Sequence, residues 1–144
     1  MNTKQKNIML AINIYVFAFL MTFITRVTKA YIGMAYPEQT DIAVQNLITF
    51  PSFYGMAAAL LIGPIAMKIK KSKLAIAAIA FMVIHNVITY FTGLVHGPFA
   101  LLHVGAAFGG VAIGIYITLL NSIISNHFPP EKRAACIAKY NVWI

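Results

Sequence analysis

The sequence predicts an all-α fold, a polytopic bundle of transmembrane helices, and three observations predict it. Residues 7–25, 42–67 and 74–130 carry no charged side chain, and all fourteen charges lie outside them. The basic residues gather on alternate connections between these stretches. Small residues, glycine or alanine, recur four residues apart inside two of the stretches. About 20 apolar residues cross the hydrocarbon of a bilayer as a helix. The first two stretches, of 19 and 26 residues, fit one span each, and the third, of 57, fits two. The chain is 10% charged, against roughly 25% in a soluble domain.

The first span is expected at 8–25. It follows Lys4 and Lys6 as a signal peptide would, but it exceeds a usual apolar region of that kind and no small-x-small cleavage site follows, so a retained span is the reading. A connection over 27–43 carries Tyr36-Pro37, Glu38 and Asp41. The second span is 44–67, and Lys68, Lys70, Lys71 and Lys73 make a tight basic turn after it. The third is 74–95. His96-Gly97-Pro98 then breaks the long apolar stretch, because proline cannot continue the helix behind it and glycine favours a turn. The fourth span is 99–125. A linker over 126–133 follows, in which Pro129-Pro130-Glu131 reads as a helix start. Residues 134–144, with interfacial Trp143, cover about 16 Å as a helix, so the chain is expected to stop as a fifth span begins.

Nine basic residues fall on one side of this arrangement, and only Arg26 and Lys29 on the other. Lysine and arginine mark the cytoplasmic side, which places the N-terminus there and the 96–98 turn outside. The net charge of +8 does not imply nucleic acid, since no basic face is interleaved with aromatics. The single cysteine, Cys136, excludes an intrachain disulfide. No histidine pair has zinc-ligand spacing, and no GxSxG, HExxH or P-loop occurs, so no metal, cofactor or catalytic residue is expected and the chain is not read as an enzyme.

Small residues four apart mark faces where helices approach closely in a bilayer. Gly55, Ala59 and Gly63 form such a row in the second span, and Gly105, Gly109, Gly110 and Gly114 form two pairs in the fourth. Large residues at Gly109 or Gly114 are expected to disrupt the bundle more than at Ala77 or Ala78, which lack a glycine pattern. Polar residues should face other helices or a watery cavity, never lipid. They are Asn13 and Thr22 in the first span, Asn46, Thr49 and Ser52 in the second, His85, Asn86 and Thr89 in the third, and Thr118, Asn121, Ser122 and Ser125 in the fourth. Asn13, Thr22, Asn46, Thr49, Ser52, His85, Thr118 and Asn121 are the candidates to line a substrate path. Interhelical hydrogen bonding is the alternative for the same residues.

Three segments resemble one family. Gly63-Pro64-Ile65-Ala66-Met67-Lys68-Ile69-Lys70-Lys71-Ser72 is similar to the G-x-x-x-D-[RK]-x-G-[RK]-[RK] signature of the major facilitator superfamily. Gly63, Lys68 and Lys71 match, while Met67 stands where the signature has an acid, Lys70 where it has its second glycine and Ser72 where it has its last basic residue. Asn46-Leu47-Ile48-Thr49-Phe50-Pro51-Ser52-Phe53 resembles the opening of the second span in bacterial members. Residues 123–133, ending Phe128-Pro129-Pro130-Glu131-Lys132-Arg133, resemble the linker between the fourth and fifth spans.

The resemblance implies a secondary active permease with twelve spans in two six-helix halves, working by alternating access in a bacterial cytoplasmic membrane. This chain would then be a partial N-terminal half, and its partners the bilayer, a small-molecule substrate and the missing C-terminal helices or a second copy. Two other classes compete. A small four-span exporter acting as an oligomer, similar to the small multidrug resistance family, would imply a glutamate in the first span, and residues 8–25 have no acid. A non-transporting membrane subunit would use the glycine faces to hold its partners.

Overall fold

In the computed structural model, residues 3–20 and 29–141 are described. Six helices occupy them: α1 (Thr3–Leu20), α2 (Lys29–Ala35), α3 (Asp41–Lys68), α4 (Lys71–Leu94), α5 (Phe99–His127) and α6 (Pro130–Asn141). No strand occurs among the described residues. The fold is all-α, as composition and spacing predict. Thr22 and Trp143 lie outside the described residues.

Helices α3, α4 and α5 are long and apolar enough to cross a membrane. At 1.5 Å per residue their 28, 24 and 29 residues reach about 42, 36 and 44 Å, more than the hydrocarbon thickness. As described, α1 opens on Lys4, Gln5, Lys6 and Asn7, and the last residues of its charge-free run fall outside the described part. Part of the connection expected at 27–43 is the short helix α2, and α6 begins inside the expected 126–133 linker, at Pro130.

The helix ends follow from local chemistry. Thr40, with extended backbone, caps α3 by accepting from the Ala43 N–H at 3.2 Å, and Asp41 sits at the positive end of the helix. Pro130 occupies the first position of α6, with Glu131 beside it. The α4–α5 turn falls at 95–98, where the His96-Gly97-Pro98 break is expected. The left-handed residue is His96 (φ 46°), not Gly97. The Gly97 N–H donates to the Thr92 carbonyl at 2.8 Å, the six-to-one bond that ends many helices when the preceding residue is left-handed.

Helix α5 is central. Half of its most apolar window is buried, against 22% for α4 and 11% for α3, which pack on two of its faces. The larger core cluster joins Ile12 and Val16 of α1, Leu74, Ala78 and Met82 of α4, and Ala112, Ile115, Tyr116, Leu119, Leu120 and Ile124 of α5, with Phe128 behind them. Tyr15 and Tyr116 rings meet at 5.1 Å inside it. Ala78 is completely buried: absence of a glycine pattern does not mean absence of a neighbour. A smaller cluster at the opposite end holds Tyr36, Leu47, Leu102 and Ala106.

Candidate functional site

Three settings hold the polar and glycine residues: the two interfaces of α5, and an outward polar face on its last turns. Toward α3, α5 presents Gly110 and Gly114. A Cβ on Gly110 would lie 2.5 Å from the Pro51 carbonyl oxygen and 2.6 Å from the Tyr54 Cβ. A Cβ on Gly114 would lie 2.8 Å from the Ala58 Cβ and nearer still to the Gly55 carbonyl oxygen. Gly55 reciprocates, 3.1 Å from the Gly110 carbonyl. Two backbones therefore touch here, which only residues without a side chain allow. Ala58 is the buried neighbour, and Ala59 approaches only through its backbone nitrogen. Gly63, on the same row, has nothing within 4 Å of a Cβ position.

Toward α4, α5 presents Gly105 and Gly109. The His85 ring fills the notch between them. Its Nδ1 donates to the Gly105 carbonyl at 2.8 Å, and a Cβ on Gly109 would sit 3.0 Å from its Cγ. A carbonyl oxygen can only accept, so this bond places the imidazole proton on Nδ1. Thr89 Oγ1 stands 3.5 Å from the same nitrogen. His85 is buried and lies nine residues, about 13 Å, from the end of α4 at Leu94. This candidate path residue thus crosses from its own helix to the backbone of another.

Other polar side chains bond within their own helix. Thr49 donates to the Gln45 and Asn46 carbonyls, Asn86 to Met82, Thr118 to Gly114 and Ser125 to Asn121. The Asn121 amide is exposed and bonds no described residue. Ser52 is exposed, Asn46 half-buried and Asn13 exposed. The candidates among the described residues do not converge. Asn46 and Thr49 precede the Pro51–Gly110 contact on α3, whereas Asn121 lies eleven residues beyond Gly110, about 16 Å along α5. His85 meets a third face.

Several connecting residues carry no sequence signal. The Tyr36 hydroxyl lies 3.2 Å from the Thr92 carbonyl and 3.0 Å from the Gly97 carbonyl, so its one proton ties the α2–α3 loop to the α4–α5 turn. Burial raises the Tyr36 phenol above its ordinary value, and Glu38 pushes the same way. His103 sits between Phe50 and Phe99, with ring centroids at 5.6 and 5.3 Å. At the other end Lys71 Nζ donates to the Ser122 carbonyl at 3.3 Å and Arg133 Nε to the Phe128 carbonyl at 2.8 Å. Both cations thus serve the negative end of α5. Lys68, the other basic match to the signature, is exposed.

Among the described residues no three histidine, cysteine or carboxylate side chains come together. Compared with known proteins, the chain matches no family model, no curated protein and no solved structure.

Proposed function

We propose that the chain works as part of a secondary active permease of the major facilitator type, moving a small solute across the cytoplasmic membrane by alternating access. In this reading α1 with the apolar residues after it, α3, α4 and α5 are the first four spans, the N-terminus is cytoplasmic, and α6 starts the fifth. The observation that carries it is Asn121: an exposed amide with no partner among the described residues, on a helix apolar enough to span a bilayer. An amide in hydrocarbon without a partner costs several kcal/mol, so that face needs water, solute or facing helices. Large apolar side chains such as Met56, Leu60, Ile76 and Val83 are exposed on α3 and α4, where lipid or further helices would cover them. The three motif resemblances supply the family.

Cysteine labelling in membranes tests the watery face. On a Cys136→Ser background, Asn121→Cys is expected to react with a membrane-impermeant maleimide, and Leu60→Cys is not. No reaction at position 121 would sink the cavity. Reporter fusions at Lys71 and Gly97 should lie in opposite compartments. A cavity of this type needs two facing sets of helices, so the chain reconstituted alone should show no saturable solute flux. Saturable flux abolished by Asn121→Ala would instead make it a small exporter complete in itself.

A further inference from the structure

The chain is electrically lopsided along its helices. Lys68, Lys70, Lys71 and Lys73 lie at the α3–α4 turn, and Lys132 and Arg133 follow α5. Lys71 reaches the last turns of α5, so the turn and the end of α5 adjoin. Ile8, Met9 and Ile12 of α1 belong to the same apolar cluster as Leu74, Ile124 and Phe128. Glu131 is the one acid there. Glu38 and Asp41 sit at the opposite end, beside α2 and the start of α3.

These cations divide into two groups. Lys71 and Arg133 are half-buried and hold backbone carbonyls. Lys68, Lys70, Lys73 and Lys132 are exposed, and no hydrogen bond or ion pair joins their side chains to another described residue. The apolar helices begin directly beside them. A cluster of ammonium groups at the edge of an apolar belt lies at headgroup depth in a bilayer.

We infer that this end carries a docking surface for anionic phospholipid headgroups, formed by Lys68, Lys70, Lys73 and Lys132. The inference rests on the membrane reading above, and adds that the free lysines select the lipid while Lys71 and Arg133 hold the fold. The attraction of a basic segment to an anionic leaflet grows with each lysine near the surface and decays within a Debye length. An ammonium group on a flexible stem suits a diffuse headgroup surface better than a single rigid site.

The full chain is reconstituted in phosphatidylcholine vesicles carrying traces of spin-labelled phosphatidylglycerol or spin-labelled phosphatidylcholine. The protein-immobilised fraction of each label is then compared. Phosphatidylglycerol is expected to be preferred at least about threefold at low salt, with the preference falling toward one in 1 M salt. The triple variant Lys68→Gln, Lys70→Gln, Lys73→Gln should lose most of the preference and keep its helical circular dichroism. Lys71→Gln should keep the preference and unfold at lower temperature. Should the triple variant not fold, Lys70→Gln and Lys132→Gln singly must each lower the preference. An unchanged preference in these variants overturns the surface. Equal immobilisation of both labels overturns it and leaves the membrane reading standing. Immobilisation of neither overturns both. Binding of an acidic peptide by the solubilised chain, with no headgroup preference in vesicles, overturns it in favour of a protein partner.

Discussion

Toward α3, helix α5 offers bare backbone to backbone; toward α4 it offers a notch to a side chain. Both faces use two glycines four residues apart, Gly110 with Gly114 and Gly105 with Gly109. At 100° per residue the mean directions of the two pairs differ by about 140°, so one helix can meet two neighbours with the same device. What the glycines meet is different. Gly110 and Gly114 face carbonyl oxygens of Pro51 and Gly55, which cannot move without moving helix α3. Gly109 faces the ring of His85, which can turn about its side-chain bonds. The first interface is a rigid contact of fixed separation. The second is a contact whose register is set by one directed bond, from His85 to the Gly105 carbonyl. Equal sequence spacing therefore predicts close approach and leaves open what a substitution will cost.

The largest expected effect tests the rigid face. Gly114→Leu must displace α3, because the added carbons point at its backbone. Overpacking of this kind costs typically 1–3 kcal/mol and more where nothing can yield. We expect Gly114→Leu and Gly110→Leu to lose detergent-resistant helical structure, followed by circular dichroism during thermal unfolding. A midpoint within two degrees of the parent for both variants would break the comparison at its firmer end.

A smaller effect is expected on the α4 side, and its origin can be separated. Gly109→Ala places a methyl about 3 Å from the His85 ring. The ring must shift, and the bond to Gly105 weakens. Interhelical hydrogen bonds of this kind contribute about 0.6 kcal/mol on average and up to about 1.7. We expect a loss near 1–2 kcal/mol for Gly109→Ala, and a similar loss for His85→Ala. The double variant should lose less than the sum, since each change removes the other's cause. The matching cycle across the rigid face, Gly110→Ala with Tyr54→Ala, should stay close to additive, because the Pro51 carbonyl remains in the way. Strict additivity in the first cycle would show that the ring does not mediate the contact.

The long helices are legible in the sequence because charge and apolarity change sharply at their ends. The expected 44–67, 74–95 and 99–125 lie within a few residues of α3, α4 and α5. Partners of the glycine faces are not legible. Spacing on one helix defines a direction, and nothing in it names the helix that arrives from that direction. Lys71 reads as one member of a basic turn, yet it is bonded to Ser122, because a contact 51 residues away leaves no local pattern. His96 shows the same limit at short range: Gly97 is the natural residue for a left-handed turn, and the chain places that conformation one residue earlier. His96→Gly should therefore stabilise the α4–α5 turn by about 0.5–1 kcal/mol, the roughly 1–2 kcal/mol strain of a left-handed non-glycine residue less glycine's greater backbone entropy. A lowered unfolding midpoint would show that the imidazole itself contributes to the turn.

The smallest expected effect belongs to Gly63, and it sharpens the contrast most. Gly63 continues the row of Gly55 and Ala59 and matches the first glycine of the family signature, so spacing alone ranks it with the contact glycines. Its Cβ position is open, while that of Gly55, eight residues earlier, faces α5 at 3.1 Å. Eight residues turn Gly63 about 80° from Gly55, off the side that meets α5, while Ile62 and Ala66 beside it still pack against the larger core cluster. Gly63→Ala should change the stability by less than about 1 kcal/mol, with the gain in helix propensity as the only term. Gly63→Leu should be tolerated as well, since an open position offers no atom to overpack. A loss at Gly63→Leu comparable to that at Gly114→Leu would mean that another copy of the chain, or further helices, closes on this part of α3. Measuring both variants at two protein concentrations separates these cases, because association between copies weakens on dilution.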